Sequence, residues 1–256
     1  MNLYFAGGEN LINQKILLKS KVNNILLSYY GLKNKKLDNQ FKNIFLDSGA
    51  FTAFTKNKKI NIDDYIEYIK INKDFLEVYA NLDVIGDWEM TQKNQEYMEK
   101  KGLTPLATFH YNSPLEELER ICKKYDYIAL GGLVPLSTKK KKIKNWLDKC
   151  WAVIFNCDSS TKVHGFGVNS FDLLKRYPFY SVDATSWLVP ARYGQLLAFN
   201  NGKIKIYSKK ATIKSLEVYN LSQGVYKDLL FQQVKEILKI EDYITRLWKK
   251  KGVAWN

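Results

Sequence analysis

The chain has 256 residues, 46% of them hydrophobic, enough to bury one sizeable core as a single barrel or α/β domain. Its formal net charge of +14 and pI near 9.4 favour a polyanionic partner, nucleic acid ahead of a membrane surface, with a merely solvated Lys-rich surface as the plain alternative. Three scattered cysteines, Cys122, Cys150 and Cys157, form no CxxC pair, and no apolar run approaches the ~20 residues of a membrane span. A disulfide framework, a zinc site and a membrane-spanning protein are therefore not expected, and a cytoplasmic setting is.

Short apolar runs recur along the chain, each followed by a polar segment. They are "NLYFAGG" (2–8), "NILLSYY" (24–30), "NIFLDSGAF" (43–51), "EVYANLDVIG" (77–86), "TPLATFHY" (104–111), "YIALGGL" (127–133), "KVHGFGV" (162–168) and "FYSVDATSW" (179–187). Continuous apolar character suits strands buried on both faces, as in a parallel sheet. Between them, "INIDDYIEYIKIN" (60–72) places Ile62, Tyr65, Ile66 and Ile69 on one stripe. "NSPLEELERICKKY" (112–125) opens on Asn112 or Ser113 as an expected cap, with Pro114 at the first helical position. "NSFDLLKRY" (169–177) opens the same way. Strand and helix alternating eight times predict an α/β fold, a (β/α)8 TIM barrel, with a doubly wound open sheet as the alternative.

After the eighth strand the pattern changes. "GQLLAFNNGKIKIYS" (194–208) reads as two strands joined by Asn200-Asn201-Gly202, and 225–251 as one or two amphipathic helices. Residues 1–190 are thus assigned to the barrel and 191–256 to a C-terminal hairpin-plus-helix extension packed on it within the same domain.

Barrel enzymes carry their chemistry at the C-terminal ends of the strands. Here those ends are Asp47-Ser48-Gly49, Asp83, His110, Gly131-Gly132, His164-Gly165 and Asp183. Each has a plain structural reading: Asp47 and Asp183 as helix caps, Asp83 as a turn residue, the histidines as satisfied core residues, the glycines as a relaxed strand end. Two rim carboxylates also suit a nucleophile paired with a general acid/base, as glycosyl chemistry requires.

Three of these stretches together resemble one family. "FLDSGAF" (45–51) resembles the DSGGF motif of the queuine and archaeosine tRNA-guanine transglycosylases, and "ALGGL" (129–133) their base-contacting GGL motif. "HGFGVNSFDLLKRYPFYSVDATSWLVPAR" (164–192) is similar to their stretch from a Gly-x-Gly turn to the nucleophilic Asp and a Pro-x-Arg. The matches run in family order over roughly the first 190 residues, and the short chain is most like the phage and bacterial relatives that place 7-deazaguanines in DNA.

The resemblance implies exchange of guanine for a preQ0-like 7-deazaguanine by double displacement, the free base being a co-substrate and no other cofactor being needed. Asp183 would attack C1′ and Asp47 would shuttle the base proton. Ser48, Asp83, His110, Gly131, Gly132, His164 and Gly165 would bind substrate, His110 standing where the family carries a Gln. Around the nucleophile the family's bacterial form has two acids close together, DxxD; this chain has Asp183 alone, with Ser186 nearer the second acid's position. The Cys/His cluster of the tRNA enzymes is missing from the sequence, so no zinc is expected.

The expected nucleic-acid contacts are Lys139, Lys140, Lys141, Arg192, Lys249 and Lys250, the last two in a basic tail beside Trp248 and Trp255. The expected partner is DNA, with tRNA as the alternative polymer. A non-catalytic nucleic-acid-binding barrel and a glycoside hydrolase are the competing classes. A helper protein or homo-oligomer stays open.

Overall fold

The computed structural model describes residues 1–32, 35–136, 139–157, 160–207, 225–253 and 255. Eight parallel strands form its centre: β1 (Asn2–Ala6), β2 (Asn24–Ser28), β3 (Asn43–Asp47), β4 (Val78–Tyr79), β5 (Ala107–His110), β6 (Tyr127–Gly131), β7 (Lys162–Gly165) and β8 (Ser181–Ala184). Their order is β4-β3-β2-β1-β8-β7-β6-β5, so first and last strands in sequence are neighbours. A single parallel bridge, Ala80 to Leu106, joins β4 to β5 and closes the ring. Leu106 N–H donates to Tyr79 O at 2.8 Å and Asn81 N–H to Leu106 O at 3.2 Å. The fold is a (β/α)8 barrel.

Helices α1 (Leu11–Lys19), α2 (Tyr29–Leu32), α3 (Ala50–Thr55), α4 (Ile62–Asn72), α5 (Trp88–Lys100), α6 (Leu115–Lys124), α7 (Lys140–Cys157), α8 (Phe171–Arg176) and α9 (Val189–Arg192) lie between and after the strands. Period-two alternation divides the core. In β3, Ile44 and Leu46 face the helices, while Phe45 joins Tyr4, Leu26, Ala80, Leu106 and Ala129 inside the ring. The same alternation carries Asp47, two residues past Phe45, to the top of the interior.

Two local expectations are corrected. The fourth strand is two residues long rather than spanning 77–86, because the chain turns away after Ala80. Thr91 Oγ1 accepts from Val84 N–H at 2.9 Å and donates to Asp87 O at 2.8 Å, while the Asp87 side chain caps α5. Neither Asn112 nor Ser113 caps α6: its N-cap is Pro114, with no side-chain cap bond, and Asn112 sits at φ +70° in the preceding turn. The acidic first turn, Glu116 and Glu117, complements the helix dipole there instead.

The described part of the extension packs on the barrel. Strands β9 (Leu196–Asn200) and β10 (Lys203–Tyr207) form an antiparallel hairpin. Its tight turn places Asn201 at φ +45° and Gly202 at φ +78°, the geometry that favours Asn-Gly. Residues 208–224 of the extension lie outside the described residues. One long helix, α10 (Val225–Lys250), then buries Leu230, Val234, Ile237, Ile244 and Trp248 on a helical stripe.

Helix α10 packs against α1, α8, α9 and β1. Glu241 Oε1 accepts from Leu3 N–H at 2.7 Å, and Trp248 Nε1–H donates to Leu174 O at 2.8 Å. It covers the face that a helix directly after β8 would cover, since α9 is only four residues long. Among the described residues, no helix is long and apolar enough to cross a membrane.

Candidate active site

The C-terminal ends of the strands open into a cavity of about 1580 Å³. Asp47, Asp83, His110, Gly131 and Asp183 line its floor, each delivered by the end of a strand or the turn after it.

Asp183 is held by one oxygen. Its Oδ1 accepts from Gly167 N–H at 2.8 Å and lies 3.3 Å from His164 Nε2. Its Oδ2 has no hydrogen-bond partner among the described residues. His164 is fully buried, and burial outweighs the nearby Asp183 charge, so its pKa is lowered and the ring is neutral at pH 7.

Asp47 is also held by one oxygen, Oδ2, which accepts from Gly49 N–H at 3.0 Å. Gly49 takes φ +79°, and a Cβ there would lie 2.4 Å from Ser28 Oγ and 2.5 Å from Tyr30 Cβ, so only glycine fits this turn. Burial, then the negative charges of Asp83 and Asp183, push the Asp47 carboxyl up to about 8, against the lowering effect of the Gly49 N–H. Asp47 is therefore a mostly neutral acid at pH 7.

Asp83 has both oxygens occupied. Oδ1 accepts from Ser48 Oγ–H at 3.1 Å, and Oδ2 pairs with His110 Nε2 at 2.8 Å. Gly131 makes room for that imidazole: a Cβ on it would lie 3.0 Å from His110 Cδ2 and 3.2 Å from Thr108 Cγ2. Gly132 adopts φ +76°, where a Cβ would press on the Tyr111 backbone nitrogen at 3.0 Å. The two glycines give the cavity a wall of bare backbone, and Phe166 offers the floor an aromatic ring.

The cavity is electrostatically lopsided. Glu9 lines the β1–β2 side, its Oε1 accepting from Ser28 N–H at 2.7 Å. Lys140, Lys141 and Lys144 of α7, Lys175 and Arg176 of α8, and Lys251 line the opposite mouth. Arg176 is tied to Asp148 at 2.7 Å and Lys175 to Asp172 at 3.2 Å, whereas Lys140, Lys141 and Lys144 have no ion-pair partner among the described residues. Among those residues no group of three or more His, Cys, Asp or Glu side chains is arranged to hold a metal ion.

The structure thus brings Asp47, Asp83, His110, Gly131, Gly132, Asp183, Lys140 and Lys141 to one cavity. Ser48 and His164 stand behind the lining, in hydrogen-bond contact with Asp83 and Asp183 respectively. Gly165 does not line the cavity: a Cβ on it would point to the outer core, 2.8 Å from Val168 and 2.9 Å from Phe179. Lys139, Arg192, Lys249 and Lys250 are exposed but line no part of it; Lys251 alone of the basic tail does.

Ala184 faces the outer core and leaves Thr185 as the small residue beside Asp183. Trp187 is packing: it is wholly buried and its Nε1–H donates to Ala6 O at 2.9 Å. Sequence reasoning missed Glu9, Phe166, Lys144 and Lys175. Phe166 could have been found from the period of two, since it falls two residues beyond the inward-facing His164.

No family model matches the chain, and no curated protein does. Among solved structures, the chain is similar to a mutant tryptophan synthase α-subunit from Pyrococcus furiosus, with a TM-score of 0.47, 14% identity, and coverage of 92% of this chain and 97% of that one. It is also similar to a protein of Aquifex aeolicus VF5, with a TM-score of 0.46, 12% identity, and coverage of 92% of each chain.

Proposed function

We propose that this protein is a pentosyltransferase that exchanges guanine for a 7-deazaguanine base in DNA. The observation that supports this reading most is the asymmetry of two carboxylates in one cavity. Burial and the neighbouring carboxylates raise the Asp47 carboxyl to about 8, favouring its neutral form, and Asp183 has one anchored and one free oxygen. That is the division of labour between general acid and nucleophile that a double displacement needs.

In the first half-reaction, Asp183 Oδ2 forms a bond to C1′ as the C1′–N bond to guanine breaks, and the Asp47 proton passes to the leaving base. In the second, the incoming base gives its proton to the Asp47 carboxylate. Its nitrogen then bonds to C1′, and the ester to Asp183 breaks. Atoms and protons balance, and Asp47 ends protonated as it began.

The surroundings fit a nucleoside carried on a polyanion. Phe166 and the Gly131-Gly132 backbone suit a flat base, and Asp83 with His110 presents hydrogen-bonding groups to its edge. A base inside a duplex cannot reach this floor, so the target nucleotide enters flipped or single-stranded. Flanking phosphates would lie along Lys140, Lys141, Lys144 and Lys251, away from Glu9.

The test incubates the protein with labelled guanine and, separately, with DNA and tRNA, beside an Asp183→Ala control. Label entering DNA with the wild-type protein and not with the variant is the expected result. Label in tRNA alone would move the same chemistry to the other polymer. Full labelling by Asp183→Ala would overturn the nucleophile.

A further inference from the structure

Beneath Asp183 lies a chain of polar side chains inside the barrel. Tyr127 Oη and Ser181 Oγ are 2.6 Å apart, and Ser181 Oγ is 2.7 Å from His164 Nδ1. His164 Nε2 then meets Asp183 Oδ1. Ser181 and His164 are wholly buried. The imidazole is caged by Phe45 at 4.7 Å and Phe166 at 4.6 Å, ring centre to ring centre, with Tyr4 at 6.3 Å. Ser181 and His164 share a register pair on β8 and β7, which fixes the spacing of the two side chains.

Hydrogen-bond bookkeeping orients every proton in this chain. Asp183 Oδ1 already accepts from Gly167 N–H, and as the acceptor for the imidazole too it puts the His164 hydrogen on Nε2. Burial disfavours the imidazolium, so Nδ1 is bare and accepts, which makes Ser181 Oγ–H the donor. The Ser181 oxygen then accepts from Tyr127, whose phenol burial keeps protonated.

We propose that Tyr127, Ser181 and His164 are positioning residues that lock Asp183 through Oδ1 and so select Oδ2 as the atom that attacks the sugar. The proposal rests on the reading of Asp183 as nucleophile. A neutral donor has a specific advantage under such a carboxylate. A cation there would repel the positive charge that develops at C1′ in an oxocarbenium-like transition state, whereas an uncharged imidazole orients the carboxylate without that cost. The cage and the relay thus serve one end: they hold the ring still and keep it uncharged.

The chain contains two histidines, His110 and His164, so a nitrogen-15 imidazole spectrum of the full-length protein is readily assigned with a His164→Gln variant. At pH 7 His164 should be neutral with its hydrogen on Nε2. An imidazolium, or a hydrogen on Nδ1, would overturn the relay.

In base exchange, His164→Met removes the donor at similar volume and should lower kcat about 10- to 100-fold with KM unchanged. His164→Gln restores a donor and should recover at least about tenfold over Met. Exchange by His164→Met at the wild-type rate, or no recovery with Gln in a protein that melts like His164→Met, would also overturn it. If the wild-type protein exchanges no base at all, the transglycosylase reading fails, while the imidazole spectrum still decides the relay.

Discussion

Two histidine–aspartate pairs stand at the top of this barrel and share almost nothing but their chemistry. His110 and Asp83 face the cavity, and Asp83 has both oxygens engaged, by His110 and by Ser48. His164 is sealed below the floor, and Asp183 keeps one oxygen free. A carboxylate with both oxygens committed is a fixed acceptor, suited to reading a ligand edge. A carboxylate gripped on one side can still form a bond. What separates them is the number of lone pairs left over and the side from which the imidazole approaches.

The largest effect that would break this comparison comes from Asp183. Asp183→Asn should reduce base exchange by at least about a thousandfold while leaving polynucleotide affinity within about threefold, since in the proposed mechanism it removes the nucleophile and keeps the shape. Stopped exchange with equal loss of binding would make Asp183 a structural residue.

Asp47 comes next. Asp47→Asn should cost about 10² to 10⁴ in kcat, as expected for loss of a general acid. The first half-reaction of the wild-type protein should fall as pH rises through about 8, where Asp47 loses its proton, and that limb should vanish in the variant. Stability should follow the same direction with pH. The Asp47 carboxyl holds its proton more tightly in the folded chain, with its ordinary value near 3.8 raised to about 8. Its contribution is therefore full below about pH 4 and lost as pH rises toward 8. Asp47→Asn should raise Tm by about 2–4 °C at pH 8 and by less at pH 5, read by thermal melts.

The pair proposed to read the base, Asp83 and His110, gives a smaller effect. Asp83→Asn should lower discrimination between guanine and other purines about 10- to 100-fold, with a lesser change in kcat for guanine, measured by competing labelled bases. If it instead abolished exchange for every base, the division between reading and reacting pairs would collapse. Smallest is the mouth: Lys144→Glu with Lys251→Glu should weaken oligonucleotide binding about tenfold and flatten its salt dependence, read by fluorescence anisotropy.

The sequence made the rim legible because strand ends in a barrel converge: Asp47, Asp83, His110, Gly131 and Asp183 are spread over 137 residues and still meet at one floor. Period-two alternation on β3 and β8 is enough to aim the two acids inward. The relay was less legible, since Tyr127 and Ser181 are ordinary strand residues until the β7–β8 register sets them beside His164.

Gly165 was misplaced for the same reason. It follows an inward residue and so must point outward, which a motif read as a block conceals. The basic wall was only half legible. A lysine run advertises charge, but which of Lys139, Lys140 and Lys141 reaches the cavity depends on the turn of α7. Lys251 arrives from the far end of the chain because α10 runs along the barrel to α8.

The most direct measurement of the central claim is to trap the intermediate. The protein is incubated with a guanine-containing single-stranded DNA, without added base, denatured, digested and analysed by peptide mass spectrometry. A deoxyribose adduct on the peptide containing Asp183, lost in Asp183→Asn, is the predicted result. An adduct on any other residue, or exchange that proceeds with inversion and no adduct, would contradict the account.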